Sequence, residues 1–420
     1  MTQNNAAAEI DLTHAGEMGD RLFPLLDSLR EADPIHWNET ARCWVVTRHQ
    51  DIVDALAGRV PMSNVRQATA SYAVIPPAEW PQRLPNLVKY APHHITNVDP
   101  PQHTRLRTLL SRAFGRPVVE NLRPFAQTTV AGLMAALADG RPVEFNHDVA
   151  LALPGNVILK LLGFGDALYG RLRVWANDVM VGLGTAHPQA EWVEAADRAF
   201  AEMTEHFLVQ IDDRRRSPRG PEDFISALIA AKDGKDALTD EEIVAVLQVA
   251  LVAGHDTTVN SMTLGVAALA RHPDAWRYMR EHPDQIMESV LELMRFSSMS
   301  TAQNRVVAAD FDWHGKRLRK GDTVFLMLGA GNRDPRVYTH PEVLDLRRRN
   351  DMSLMFAPGL HHCIGHLLAK MQLTEFFGAL TEHFDGAEIL DAEVRFSPVL
   401  AFRSIPSLHM RFLPRMRVAG

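Results

Sequence analysis

The stretch from Leu238 to Pro273, LTDEEIVAVLQVALVAGHDTTVNSMTLGVAALARHP, constrains the fold more than any other part of this chain. Thr239 and Glu242 stand at the spacing of a capping box, and about 30 residues then pass without proline until Pro273. A helix of that length, apolar on most sides, must run through the middle of a fold, because only there do all its faces find apolar neighbours. Its longest apolar run, IVAVLQVALVAG, is broken by Gln248 and is too short to span a bilayer.

GHDTT lies midway along this helix. Asp256, Thr257 and Thr258 are costly in an apolar setting without partners, and Gly254 costs about 1 kcal/mol relative to Ala in a helix interior. The bland reading is a solvent-facing patch of an amphipathic helix. The apolar residues flanking the cluster on both sides favour a functional one. A Thr hydroxyl can back-bond to the preceding turn, and a glycine lets a flat ligand approach the backbone. An acid beside an alcohol is a proton-delivery pair.

The chain has 420 residues, 46% hydrophobic and 23% charged, which is ordinary for a globular protein. A net charge of −7 carries no general nucleic-acid footprint. Two cysteines, Cys43 and Cys363, make no disulfide framework and point to a reducing compartment. The start, MTQNNAAAEIDLTHAGEMGD, has neither a basic region nor an apolar run, so no signal peptide or membrane anchor is expected there. The expectation is a cytoplasmic protein with no membrane or nucleic-acid partner.

Without repeats or a low-complexity linker, the turn signals are spread rather than clustered. The expected organisation is a flexible tail over 1–15 and a single domain over 16–420. WNETARCWVVT reads as a small hairpin. Residues 61–98 hold six prolines and little periodicity, which reads as a long functional loop. VENLRPFAQTTVAGLMAALA, ALYGRLRVWANDVMVGL and EWVEAADRAFAEMTEHFLVQIDDRRR read as helices, and RVVAADFDWHGKRLRKGDTVFLML as strands. The predicted class is mainly α with minor β, a long central helix and small sheets.

FAPGLHHCIG, Phe356 to Gly365, precedes an amphipathic helix. A thiolate at a helix N-terminus is favoured by unpaired N–H groups and the dipole, so Cys363 is placed to be an anion. With no CxxC, a thioredoxin-like role is disfavoured. Zinc held by His361, His362 and Cys363 is disfavoured too, since consecutive residues rarely converge on one ion. An inert buried thiol, a nucleophile and a metal ligand remain open. A haem thiolate fits better once the central helix is counted, with thiolate push on one side and proton delivery on the other. ESVLELMRF places Glu292 and Arg295 on one helix face, which alone reads as a surface ion pair. In NRDPRVYTHPEVLDLRRR, Asn332, Arg333, Asp334, Asp345 and Arg348 can lock a meander by charge-assisted bonds.

Together these residues resemble the cytochrome P450 family of haem-thiolate monooxygenases, in its bacterial form, over essentially the whole chain. FAPGLHHCIG resembles the family's cysteine loop at Phe356, Gly359, His361, Cys363 and Gly365. AGHDTT, Ala253 to Thr258, resembles its oxygen-activation motif. ELMR, Glu292 to Arg295, resembles its glutamate–arginine pair, with Arg348 as third member. DPPQHTRLR, Asp99 to Arg107, resembles the start of the helix on the cysteine side. The family usually has Gly or another small polar residue where this chain has Ala357, followed by Pro358.

The resemblance implies a P450-like fold around haem b, with Cys363 as axial ligand. It implies that His103, Arg107, Arg305 and His361 pair with the haem propionates, and that Ala253, Phe356 and Gly365 also adjoin the cofactor. Asp256 and Thr257 would supply protons, while Glu292, Arg295 and Arg348 would hold the cysteine loop. Val249, Val252, Thr301 and Phe402 are the expected substrate contacts, under a lid formed by 61–98 and 184–189. The implied reaction hydroxylates or epoxidises a hydrophobic small molecule with dioxygen. Electrons would come from a separate ferredoxin and its NAD(P)H-dependent reductase, docking on Arg105, Arg112, Arg116, His362 and Lys370 of a monomer. Peroxide-driven oxidation, a non-catalytic haem-binding module and a haem-free thiol hydrolase are the competing readings.

Overall fold

The computed structural model describes residues 10–12, 14–65, 72–111, 113–165, 168–184, 188–220, 222–233 and 236–415. The expected central helix forms as Asp240–Arg271, with Thr239 Oγ1 accepting from the Glu242 N–H at 3.2 Å and Glu242 Oε2 accepting from the Thr239 N–H at 2.9 Å. By length and composition this helix could cross a membrane, which corrects the inference drawn from its interrupted apolar run. Instead, 72% of its most apolar window is buried inside the protein. Helices Ala152–Leu161, Tyr169–Gly184, Ala190–Arg216, Ile286–Ser297 and His366–His383 pack around it.

The hairpin forms as expected, Ile35–Asn38 antiparallel to Cys43–Val46, with Asn38 opposite Cys43. It is the edge of a five-stranded sheet that continues through Thr323–Leu326, Gln303–Val307 and Met62–Ser63. Trp44 aligns in parallel with Val324, and Val324 lies opposite Arg305. The sheet thus joins segment 35–63 to segment 303–326 and places Arg305 on a rigid strand. A second sheet pairs Phe384–Ile389 with His409–Pro414 and Val143–Glu144.

Two expectations change. Among its described residues, 61–98 is a chain of short helical turns, Pro77–Glu79, Trp80–Arg83, Pro85–Tyr90, Ala91–His93 and Ile95–Asn97, rather than structureless loop. Most have proline within their first two residues, where its fixed φ favours the helix and its missing N–H costs nothing. The flexible tail expected over 1–15 is not what its described residues show. Ile10, Leu12 and Ala15 are buried in a cluster with Leu22, Leu26 and Leu29; residues 1–9 and 13 lie outside the described residues.

Candidate active site

The cysteine loop is held in place by buried charge. Arg295 donates two bonds to Glu292, at 2.7 and 2.8 Å, and both side chains are fully buried. The remaining Arg295 N–H groups reach the carbonyls of Asn332, Pro341 and Val343. Arg348 Nε donates to Glu292 at 3.3 Å and its Nη atoms to the Thr339 and His340 carbonyls. The pair is therefore not a surface ion pair. Every lobe of the guanidinium has a partner, the condition under which a buried pair is tolerated. Asn332 Oδ1 accepts from the Leu354 N–H at 2.8 Å, and Asp334 accepts from the His49 and Arg336 N–H groups. Arg333 donates to the Phe296 carbonyl and lies over the Phe23 ring. The meander expected from the polar coil is thus pinned directly upstream of the cysteine loop.

Within that loop, the Cys363 N–H donates to the Phe356 carbonyl at 2.9 Å, and Gly365 caps helix His366–His383. The Lys370 ammonium lies 5.4 Å from the centre of the Phe356 ring. Burial pushes the Cys363 thiol above its usual range; the Gly365 N–H and the Arg107 charge oppose this but do not win. The helix N-terminus by itself therefore does not make Cys363 an anion, contrary to the local expectation. Cys363 still presents accessible surface.

Basic side chains gather beside this loop. The rings of His103 and His361 have centroids 4.2 Å apart, and both His103 nitrogens are buried without a hydrogen-bond partner among the described residues. Arg305 is buried; burial pushes its guanidinium down to about 10 and the His361 imidazole down to about 3, with His103 and Arg305 adding to the latter. Asp99, the carboxylate whose charge reaches Arg305 and His361, is turned to the Ser63 hydroxyl and the Asn64 N–H. Arg107 donates to the His362 carbonyl at 2.7 Å, clamping the loop itself. A flat ligand with carboxylate arms fits this donor set. It would supply an acceptor to the unpaired N–H of the His103 ring and a counter-charge to the buried Arg305.

A cavity of about 610 Å³ connects Arg305 and His361 to the central helix, while Cys363, His103, Arg107, Phe356 and Gly365 lie off its wall. Arg305 and His361 line it together with Val249, Val252, Ala253 and Thr257. Ala253 is exposed in the middle of a buried helix because its face opens here. Thr257 Oγ1 donates to the Ala253 carbonyl at 2.7 Å, the back-bond to the preceding turn anticipated for a threonine here. Asp256 is not on the cavity wall; its Oδ1 lies 2.6 Å from Nδ1 of His255, a buried ring whose Nε2 has no partner. Gly254 does not offer its face to a ligand either. A Cβ there would come within 2.9 Å of Ile158 Cδ1, so this glycine serves helix packing.

Phe402 lines the cavity but Thr301 does not. Thr301 is 1% exposed, its N–H donates to the Ala401 carbonyl, and Ala302 and Gln303 face the cavity in its place. The docking patch is also reduced. Arg105 is committed to Asp236 and Glu242, each at 2.6 Å, so its charge is neutralised. Arg112 lies outside the described residues, as do Arg66 and 185–187 of the expected lid. Sequence reasoning missed His94 and Gln248, both on the cavity wall. Gln248 had been read only as a break in an apolar run, although a buried amide always demands a partner.

A central helix facing a cysteine loop across a base-lined cavity defines a haem-thiolate oxygenase architecture. Residues 185–395 match the family model for cytochrome P450. The chain is 31% identical to cytochrome P450 CYP107DY1 of Priestia megaterium over 380 residues, 88% of this chain and 89% of that one. It is 34% identical to nocardicin C N-oxygenase of Nocardia uniformis subsp. tsuyamanensis over 350 residues, 83% of each. Epothilone B-bound cytochrome P450epoK superposes with a TM-score of 0.86 at 26% identity, covering 96% of this chain and 99% of that one. The chain belongs to the cytochrome P450 family. It is a monooxygenase of bacterial type, from a family whose haem is held by a cysteine thiolate.

Proposed function

We propose that Cys363 is the axial ligand of a haem b in this cavity, and that the enzyme oxygenates a hydrophobic small molecule of secondary metabolism. The observation that carries this is one cavity lined both by the central helix, at Ala253 and Thr257, and by the basic cluster, at Arg305 and His361. When bound, the haem supplies activation of dioxygen for insertion of one oxygen atom into a C–H bond or alkene. His103, Arg305 and His361 would hold the propionates, and Arg107 keeps the cysteine loop closed through the His362 carbonyl. Since burial raises the Cys363 thiol, its thiolate form needs the cationic partner that iron provides. Phe356 and Gly365 fix the sulfur from the loop side.

Thr257, on the cavity wall, would hold a proton there, while Asp256, braced by His255, would replenish it from the adjacent position about 100° around the helix. The intact acid and alcohol favour dioxygen over peroxide as oxidant and argue against a non-catalytic haem module. Val249, Val252 and Phe402 provide the apolar wall that positions substrate and excludes water. The names of relatives support a secondary-metabolite substrate, since one is a nocardicin C N-oxygenase and another is epothilone B-bound. Electrons arrive from a separate ferredoxin with an NAD(P)H-dependent reductase, and Arg116, His362 and Lys370 remain as the basic docking groups on the cysteine side. The setting is cytoplasmic, consistent with two free cysteines, and 16–420 acts as one domain.

The test is the absorption spectrum of reduced protein exposed to carbon monoxide. A strongly red-shifted Soret band of thiolate type is expected, and it should disappear in Cys363→Ser. Bound haem without that shift, or no haem at all, would refute the assignment.

A further inference from the structure

A chain of buried hydrogen bonds crosses the roof of the cavity. Thr204, on helix Ala190–Arg216, donates its hydroxyl to the Phe200 carbonyl at 2.7 Å. Its oxygen therefore accepts, and Gln248 Nε2 donates to it at 2.9 Å. The opposite amide orientation would set Gln248 Oε1 against the Phe200 carbonyl, which lies 3.5 Å from the amide nitrogen, lone pair to lone pair. Gln248 Oε1 then faces His94 Nε2 at 3.0 Å, and only a protonated Nε2 can donate to it. The tautomer of His94 is thus dictated from two helices away. Its ring is further held by Phe200, with centroids 5.5 Å apart. Burial keeps this imidazole neutral by pushing it down to about 4.

The consequence falls on the other ring nitrogen. Nδ1 carries a lone pair, makes no hydrogen bond among the described residues, and belongs to a side chain on the cavity wall. The wall that carries it holds apolar Leu87, Ala91, Val179 and Phe200 together with polar Tyr72, Thr96 and Asn97. A fixed acceptor on such a mixed wall recognises a hydroxyl or N–H on a largely hydrophobic molecule.

We infer that His94 Nδ1 is a specificity-determining acceptor, and that the enzyme takes an apolar substrate bearing a hydroxyl or N–H donor remote from the carbon it oxidises. Gln248, which holds the His94 ring, precedes Thr257 by nine residues in the same helix, a rise of about 13 Å along its axis, so the acceptor is anchored well away from the threonine. The inference rests on the cavity being the substrate chamber of the monooxygenase.

The experiment uses the ferric holoenzyme and matched probes: cyclododecanol and its methyl ether, 1-tetradecanol and its methyl ether, and a hydroxysteroid and its methyl ether. Binding is read by the spin-state change and, independently of the iron, by equilibrium dialysis. The carbon monoxide spectrum is recorded before any ligand is added, so failure of the haem assignment is seen separately. The wild type should bind at least one alcohol about tenfold more tightly than its ether, the loss expected when a buried acceptor goes unpaired. The ratio should fall to about one in His94→Phe and recover in part in His94→Gln, which keeps an acceptor. If His94→Phe loses its haem, Gln248→Met replaces it; the tautomer is then no longer dictated and the ratio should drop. Equal affinities within every pair, no binding of any probe, or a preference that survives these variants would overturn the inference.

Discussion

Gly359 sits at φ +116° with the Leu56 carbonyl oxygen 2.3 Å from where a Cβ would stand. Gly359→Ala should therefore distort the cysteine loop, at a cost on the order of 3 kcal/mol. The expected readouts are a lower melting temperature and less than one haem per chain by haemochrome assay. Ala357, two residues earlier, is also left-handed, at φ +49°, where an L-residue is strained. Its methyl is buried in the cluster around Leu56 and Leu354, which offsets part of that strain. Thr257→Ala gives a different outcome. Its hydroxyl bonds only within its own helix, so stability should change by no more than about 1 kcal/mol. Coupling should suffer, with NAD(P)H consumed per product rising about tenfold as peroxide is released; parallel assays of cofactor, product and peroxide check this. The acid and alcohol were legible as neighbours in GHDTT. Their opposite orientations were not, because adjacent helical residues point about 100° apart and only packing decides which one meets the cavity.

At the scale of elements, the central helix was the most legible part of the chain, since its cap, length and apolar character are all local. Its glycine was misjudged. If Gly254 packs against Ile158 rather than serving a ligand, Gly254→Ala should retain haem and substrate binding and change stability by less than about 1 kcal/mol. The displaced atom is the end of a flexible side chain, and Ala gains helix propensity. Titrating denaturant against the holoprotein checks it, and loss of haem would restore the ligand reading. Glu292 and Arg295 show the opposite error of scale. Their spacing alone reads as an exposed pair, yet their helix places both in the core. Glu292→Gln should leave the Arg295 charge uncompensated and cost on the order of 3–5 kcal/mol, seen as collapse of soluble holoprotein.

For the molecule as a whole, the roof network makes stability depend on pH. The His94 imidazole is neutral in the folded protein down to about pH 4, whereas in the unfolded chain it takes a proton near pH 6.5. Between these values the unfolded state binds more protons, so its contribution is complete above pH 6.5 and is lost as pH falls toward 4. The difference in unfolding free energy between wild type and His94→Gln should shrink by about 2 kcal/mol between pH 7 and pH 4.5, measured by denaturation at those two values. By itself the sequence determined the helical class, the capped central helix, the hairpin and the order of the cysteine, acid–alcohol and Glu–Arg motifs. Each is written within a few neighbouring residues, where periodicity, capping and turn chemistry act. Only the tertiary structure decided that Arg105 is consumed by ion pairs, that Thr301 turns away from the cavity, and that His94, Gln248 and Thr204 share one chain of bonds. His94 and Gln248 are 154 positions apart, and Gln248 and Thr204 are 44 apart. No local pattern relates them; the packing of three elements around one cavity does.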